Sequence, residues 1–427
     1  MSARERPDPG QVVPNGHFDS GFRARRRRCA VVCLLTSVSV LLGSCSDGEP
    51  EGEGPDTTAN TPTAPPTAPP PTGPTFYRPP TVLPAGTPGE LLDRSDDIPL
   101  DPSWAGSGQR ITYVSTTPAG DLVPVTGVVL VPDAPPPPEG YPVVVWAHGS
   151  VGLGDPCAPS RQEPFQAVGG KEFLYAGAIV VAPDYEGLGI EEETHPYLVG
   201  VATGNNVLDA ARVGAAVGGT DEFVVFGASQ GGHATLFARQ LANSYLPEME
   251  LLGVVAAGPV TDPATFVLAG ETDPVIFPFL AETILAWSEV YEEPDLTDLV
   301  SVEDAEAVRL AREEWCTESL SPPRPLDEIF FEQPNNLELW RELVTLNTPS
   351  ADDLDIPVLL THGDADPLVP ISGTRSFHHQ LCAAGEAAML TTDPTWGHAA
   401  SWIAPVDLIG SWILDRFDDV PPPNNCP

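Results

Sequence analysis

Lysine is almost missing from this 427-residue chain. It occurs once, at Lys171, and 20 basic residues face 60 acidic ones for a formal net charge of -40. The imbalance sharpens beyond residue 45, where 13 basic and 57 acidic residues remain. A surface so short of cations repels phosphate backbones and anionic bilayers, which excludes nucleic acid as a main partner. No apolar run reaches the roughly 20 residues that a membrane-spanning helix needs. No Cys-x-x-Cys pair occurs, so a zinc or thiol-redox motif is not expected. Histidines at metal-ligand spacing, a glycine-rich phosphate loop, a dinucleotide fingerprint and internal repeats are likewise missing. These absences leave a chain expected to work without cofactor or metal. Its 41% hydrophobic residues and its length suffice for one large core carrying an insertion.

The N-terminal region reads as an address and a tether. A basic cluster, Arg23 to Arg28, precedes a 14-residue apolar run from Cys29 to Leu42 and then Leu42-Gly43-Ser44-Cys45. Basic region, short apolar region and small residues before a cleavage point are the parts of a signal peptide. Leu-Gly-Ser-Cys also resembles the bacterial lipobox, which implies lipidation of Cys45 and a membrane contact made only through that anchor. The alternative is an ordinary signal peptide with an incidental cysteine. Residues 46–80, polar and acidic and then almost wholly Thr, Ala and Pro, cannot bury a core and are expected to be an extended linker. Export also makes the four later cysteines, Cys157, Cys316, Cys382 and Cys426, disulfide candidates. Of their three connectivities, Cys157–Cys316 with Cys382–Cys426 is favoured, although spacing alone does not decide it.

From Arg110 onward, strand-like and helix-like segments alternate. Ile111–Ser115 and Leu122–Val131 read as a hairpin. Pro142–Ala147, Ala178–Ala182, Glu222–Phe226, Leu252–Ala257, Ile356–Thr361 and Ala388–Thr392 read as buried strands. Helices are expected at Gln166–Ala176, Asn206–Val217, Gln230–Tyr245, Gly373–Ala384 and Ala400–Phe417. This alternation predicts an α/β fold with a mostly parallel central sheet and helices on both faces. The rhythm breaks from Thr261 to Ser350, which reads as an inserted helical lid. The expected organisation is therefore a leader (1–45), a linker (46–80), a first core part (81–260), the insertion (261–350) and a second core part (351–427).

The chemistry concentrates in Gly227-Ala228-Ser229-Gln230-Gly231. A serine hydroxyl is a weak nucleophile that must be presented to a base, and a strand turning sharply into a helix does this. Here strand (EFVVF), motif and small-residue helix follow in that order. An acid is expected beyond a later strand, where His362-Gly363-Asp364-Ala365-Asp366-Pro367 offers Asp366 ahead of Asp364. Among the histidines that follow, His378 and His379 fall inside a helix, whereas His398 lies in a loop just after a strand. An imidazole, with an unperturbed pKa near 6.5, takes the serine proton and returns it to the leaving group. The acid fixes its tautomer. The N–H of Gln230 is the expected first oxyanion donor. Either the turn at Gly149 and Ser150 or Asp184 supplies the second. His233 is expected to be structural.

PDYEGLG at Pro183–Gly189, LDAAR at Leu208–Arg212, GASQGGHA at Gly227–Ala234, the Tyr245-Leu246-Pro247-Glu248 step and HGDADPLVP at His362–Pro370 together resemble the secretory lipase family of α/β-hydrolases, the yeast lipase A type. The resemblance spans roughly residues 75–420. It implies an extracellular triacylglycerol lipase or esterase acting on lipid or other ester substrates through Ser229, Asp366 and His398. It implies a helical lid between the serine and aspartate segments, and an oxyanion donor at the start of the Asp-x-Glu-Gly turn, which puts Asp184 ahead of Gly149. The family's disulfide habit fits the favoured pairing. In the insertion, Phe277, Phe279, Leu280, Ile284, Leu285, Trp287 and Tyr291 read either as an acyl-binding surface or as the lid's own core. Rival readings are a peptidase or polyester hydrolase on the same triad, and a non-catalytic envelope-binding lipoprotein that kept the fold.

Overall fold

Apolar runs without polar alternation, such as Val143-Val144-Val145-Trp146, can be buried only in strands covered on both faces. The computed structural model shows this arrangement, describing residues 75–77, 86–190, 194–270, 273, 275–314, 316, 336–352 and 354–427. The leader with Cys45 and most of the linker lie outside the described residues. The elements from Phe76 onward fall in one unit. Its strands are β1 (Leu91–Asp97), β2 (Gly106–Thr116), β3 (Leu122–Pro132), β4 (Tyr141–Ala147), β5 (Ile179–Pro183), β6 (Gly219–Ala228), β7 (Glu250–Ala257), β8 (Val358–Gly363) and β9 (Ala388–Asp393). They form one nine-stranded sheet in the order β1-β2-β3-β5-β4-β6-β7-β8-β9. The pairs from β1 to β5 across β2 and β3 are antiparallel, and β5, β4, β6, β7, β8 and β9 run parallel.

The helices are α1 (Gly170–Tyr175), α2 (Gly200–Ala216), α3 (Gln230–Tyr245), α4 (Pro263–Gly270), α5 (Phe277–Val290), α6 (Val302–Glu314), α7 (Leu337–Leu346), α8 (Ile371–Ala384), α9 (Ala400–Ile403) and α10 (Val406–Phe417). The two-residue period of a strand divides β4 between two cores. Val143 and Val145 join a cluster with α2, α3 and α8, while Val144 and Trp146 join one with α1 and α10. Helices thus cover both faces. A third cluster belongs to α4–α7, the helices between β7 and β8, and also takes in Leu153, Tyr197, Val260 and Val369 from the core loops. Among the described residues, no helix is long and apolar enough to cross a membrane.

The structure differs from the sequence expectation in several places. Strand β1 was not anticipated, because LLDRSDD carries four charges; it pairs irregularly at the sheet edge, where charge is tolerated. Helix α1 is shorter than Gln166–Ala176, since its N-cap Gly169 takes a left-handed conformation. Helix α2 begins six residues before Asn206. Its first turns contain Gly200 and Gly204, poor helix formers in themselves, but a Cβ at Gly200 would meet the Phe237 ring at 2.3 Å. The closing helix is two, α9 and α10, separated at Pro405.

Two motifs that carried the family resemblance are structural. In LDAAR, Asp209 accepts hydrogen bonds from Ser115 Oγ (2.6 Å), Tyr245 Oη (2.8 Å) and the Arg212 guanidinium (2.6 Å). Arg212 also reaches Glu248 at 2.6 Å and the Tyr245 carbonyl at 2.8 Å. LDAAR and Tyr245-Leu246-Pro247-Glu248 therefore tie α2 to the end of α3. Cys157 is bonded to Cys316, and Cys382 to Cys426. Behind α3, fully buried Arg239 pairs with Glu386 and donates to the Ile356 carbonyl at 3.1 Å. Removing one partner of such a pair strands a charge out of water. Glu386→Ala is expected to cost about 3–5 kcal/mol in equilibrium chemical denaturation. The joint replacement of Arg239 and Glu386 by apolar residues is expected to recover most of it. Additive losses would contradict this account.

Candidate active site

The chain runs from β4 to β5 on one side and returns to β6 on the other, so a crevice opens beyond the carboxyl ends of β4 and β6. Ser229 stands there, between the last residue of β6 and the first of α3. Its backbone is at φ 56 and ψ -118, a region ordinary residues avoid, and is held by a hydrogen bond from its N–H to the Ala257 carbonyl at 2.8 Å. The flanking glycines are dictated by contact. A Cβ on Gly227 would lie 2.2 Å from the Gly231 carbonyl oxygen, and one on Gly231 would lie 2.0 Å from that of Ala147.

Asp366 lies three residues past the end of β8, and His398 five past the end of β9. Across 169 residues of chain, His398 Nε2 is 2.8 Å from Ser229 Oγ, while its Nδ1 is 2.6 Å from Asp366 Oδ2. Asp366 Oδ1 accepts the N–H groups of Leu368 at 2.8 Å and Val369 at 3.0 Å. The sequence expectation placed Ser229, Asp366 and His398 together, and the structure brings them into one hydrogen-bonded line. Asp364 turns away to Arg375, at 2.8 Å. His378 lies beside Cys382, and His233 packs on Phe237 with Nε2 2.8 Å from the Asn347 carbonyl. Burial holds His233 down to about 4.

His362 is a part of the site that sequence reasoning did not assign. Its Nε2 is 3.1 Å from both Asp366 Oδ2 and the Val369 carbonyl, and its Nδ1 is 2.8 Å from Thr374 Oγ1. With Nε2–H donating, Thr374 donates to Nδ1, and Asp366 Oδ2 is braced from two imidazoles. Burial raises the Asp366 carboxyl, but the bonds from His362 and His398 and the adjoining N–H groups outweigh it and hold the acid well below the usual carboxylate range.

The N–H of Gln230 opens α3 directly beside Ser229 Oγ's backbone, at the positive end of the helix. Its side-chain amide reaches His195 Nε2 at 2.6 Å, and His195 Nδ1 donates to the Glu186 carbonyl at 3.0 Å. Burial pushes His195 down to about 3, so the ring is neutral and accepts from Gln230. His195 stacks on Tyr185, whose φ is 70 and whose hydroxyl donates to the His148 carbonyl at 3.0 Å. That positive φ at an aromatic residue has no counterpart in the sequence pattern beyond the neighbouring glycines.

Asp184 requires a correction. Its N–H is spent on the Thr126 carbonyl at 2.8 Å. Its buried carboxylate accepts from Ser160 N (2.8 Å), Ser160 Oγ (2.5 Å) and Thr126 Oγ1 (2.7 Å). Burial raises this carboxyl, against those hydrogen bonds. Asp184 is thus a brace between β3, β5 and the Ser160 turn, with no donor left for an oxyanion. Gly149 is the residue beside the serine: a Cβ placed on it would meet Ser229 Cβ at 3.5 Å and the Ala228 carbonyl oxygen at 3.3 Å. His148 fixes that turn, with Nδ1 2.6 Å from the Gly149 carbonyl and Nε2 3.2 Å from that of Asp184.

The sheet order and its crossovers define an α/β-hydrolase fold. Among solved structures the chain is similar to Candida antarctica lipase A in its closed state (TM-score 0.68, 19% identity, covering 82% of this chain and 87% of that one). It is also similar to the rice cell wall degrading esterase LipA from Xanthomonas oryzae (TM-score 0.65, 18% identity, 79% and 100% covered). At the level of sequence, residues 171–320 match the family model described as secretory lipase. Lipase 9 of Candida albicans is 26% identical over 305 residues, covering 63% of this chain and 65% of that protein. Lipase 4 of the same organism is 27% identical over 288 residues, covering 59% and 58%. The chain therefore spans somewhat under two thirds of the length of these relatives. The matched segment, 171–320, is thus similar to the secretory lipases, the family that the motifs resemble.

The depressed Asp366 acid has a consequence for stability. Its contribution is complete above pH about 4, the ordinary carboxylate value, and is lost as pH falls toward its lower folded-state value. The stability difference between wild type and Asp366→Asn is expected to shrink as pH falls below about 4. Urea titrations at a series of pH values measure it; a difference that does not change under acid conditions would refute the assignment.

Proposed function

We propose that this chain is an exported serine carboxylic-ester hydrolase of the lipase and esterase type. The observation that carries the reading is the line from Ser229 Oγ through His398 to Asp366, with 2.8 Å and 2.6 Å steps, at a strand-to-helix elbow. The relatives named lipases and the structural likeness to a lipase and an esterase support it. In this reading His398 Nε2 takes the Ser229 proton as Oγ attacks the ester carbonyl, and Asp366 stabilises the imidazolium through Nδ1–H. The oxyanion falls to the N–H of Gln230 and to the turn at Gly149 beside the serine. His398 then protonates the leaving alcohol, and a water it activates releases the acid from the acyl-enzyme.

Two further parts belong to the same reading. Helices α4–α7, whose apolar cluster joins Leu153, Val260 and Val369 of the core loops, act as the lid inserted over residues 261–350. Cys45 carries a lipid anchor after removal of the leader, with residues 46–80 as the tether. The substrate is a neutral or lipid ester, since the chain's charge of -40 disfavours anionic ones.

Labelling with a fluorophosphonate probe and hydrolysis of p-nitrophenyl esters test the core of this proposal. Wild type is expected to label, and Ser229→Ala to lose all labelling and at least ~10³-fold in kcat with little change in KM. A wild type that does not label, or a variant that labels as well as wild type, would sink it.

A further inference from the structure

One buried ionisable group has no part in the mechanism above. Glu282 lies on α5 and is 3% exposed, inside the apolar cluster that the helices between β7 and β8 share with the core loops. Neither Oε1 nor Oε2 meets a hydrogen-bond partner among the described residues. Its neighbours along α5, Leu280, Ala281, Ile284, Leu285 and Trp287, are apolar and buried in that cluster. A carboxyl group kept out of water with both oxygens unmatched is costly, and replacing it by a methionine or leucine would remove that cost. Such a group has no evident use in holding the helix in place.

Its position gives it one. Tyr197 belongs to the same buried cluster: burial first, and then the charge of Glu282, hold the tyrosine hydroxyl well above the ordinary phenol range. The Tyr197 hydroxyl is 2.6 Å from Ser150 Oγ. Ser150 follows Gly149, the residue set against Ser229. The Tyr197–Ser150 pair therefore leads from the cluster that α5 shares with Tyr197 to the nucleophile's turn, and Glu282 sits on α5 in that cover with its oxygens unmatched. Burial also pushes Glu282 up to about 8, so that near neutrality it is largely the uncharged acid, with one O–H to donate and a carbonyl oxygen to accept.

We propose that Glu282 is a specificity-determining residue that hydrogen-bonds an uncharged hydroxyl group carried by the ester substrate, so that the site selects hydroxyl-bearing esters over plain alkyl esters. This rests on the ester-hydrolase reading and deepens it. A substrate hydroxyl both donates and accepts, and so matches a neutral carboxyl on both counts. A purely alkyl chain leaves the carboxyl unmatched, and a site built for a hydroxyl discriminates against the analogue that lacks one. The partner is not an anionic group, because a second carboxylate or a phosphate would meet both this acid and a chain of net charge -40.

The test compares kcat/KM for matched pairs of uncharged esters on the full folded protein. One arm sets p-nitrophenyl hydroxyalkanoates against p-nitrophenyl alkanoates of equal chain length, placing the hydroxyl on the acyl side. The other sets glycerol monoesters against propyl esters of the same acid, placing it on the alcohol side. Wild type is expected to favour the hydroxyl-bearing member in one arm by about 10- to 100-fold. Glu282→Met is expected to abolish that preference through loss on the hydroxyl-bearing ester, with the plain ester hydrolysed at least as fast and the protein as stable or more so. Glu282→Gln, which can still donate and accept, is expected to keep the preference within about threefold. No hydroxyl preference in wild type in either arm overturns the inference, and this result does not depend on any variant folding. A preference that Glu282→Met leaves unchanged overturns it equally, whatever happens to stability. Hydrolysis of plain p-nitrophenyl esters by wild type separates the two readings: if these are cleaved and no preference appears, only the role of Glu282 fails.

Discussion

Two backbones that come too close for any side chain set the terms for everything around Ser229. With Gly231 against the Ala147 carbonyl and Gly227 against that of Gly231, α3 starts directly on top of the β4–β6 pair. The peptide between strand and helix then has no room for a relaxed bend, and Ser229 absorbs the difference at φ 56 and ψ -118. The hydrogen bond from its N–H to Ala257 on β7 over-determines that strained conformation. Three parallel strands and one helix are thus needed to hold a single residue out of its preferred geometry. The parallel sheet, continuous apolar strands and short β6-to-α3 turn all follow from that demand.

Burial divides the histidines of this region into two kinds. His148, His195 and His233 are wholly enclosed, and loss of water holds each below the ordinary imidazole value. They serve as rigid linkers, each bonded to a backbone carbonyl. His362 does similar work behind Asp366. His398 keeps some solvent exposure at its side chain, 12%, and it is the one that bridges a carboxylate and the serine hydroxyl. Enclosure fixes the supporting rings around the ring that moves the proton.

The sheet and the reactive line were legible because they follow short-range rules. PVVVWA and IPVLLT can only be buried strands, the Gly-x-Ser-x-Gly spacing encodes a close approach, and chain order narrowed the acid and base to Asp366 and His398. Asp184 was misread because PDYEGLG shows a chain turn but not where its polar groups point. Its N–H and carboxylate are consumed by Thr126 and Ser160, which lie 58 and 24 residues away in sequence. His195 was passed over for the same reason, since its partner Gln230 lies 35 residues away, and His362 because its contact with Asp366, four residues on, depends on how the loop between them turns. Strand β1 was hidden because an edge strand can carry LLDRSDD at no cost to its exposed face. The early start of α2 depends on Phe237, a contact across helices that no propensity records.

The two disulfides divide the reactive line in a way that the linear sequence does not show. Cys157–Cys316 closes a covalent ring that contains β5, β6, Ser229 and all of α2–α6. Cys382–Cys426 closes a second ring that contains β9 and His398. Asp366 belongs to neither, lying on the open stretch that joins them. Loop closure over separations of 159 and 44 residues is worth about 5 and 4 kcal/mol in the chain-entropy account, and it acts on the unfolded chain. An oxidised chain that unfolds thus remains a pair of linked loops, one holding the nucleophile and the other the base. Reassembly becomes a docking of two pre-tied loops through the segment that brings the acid.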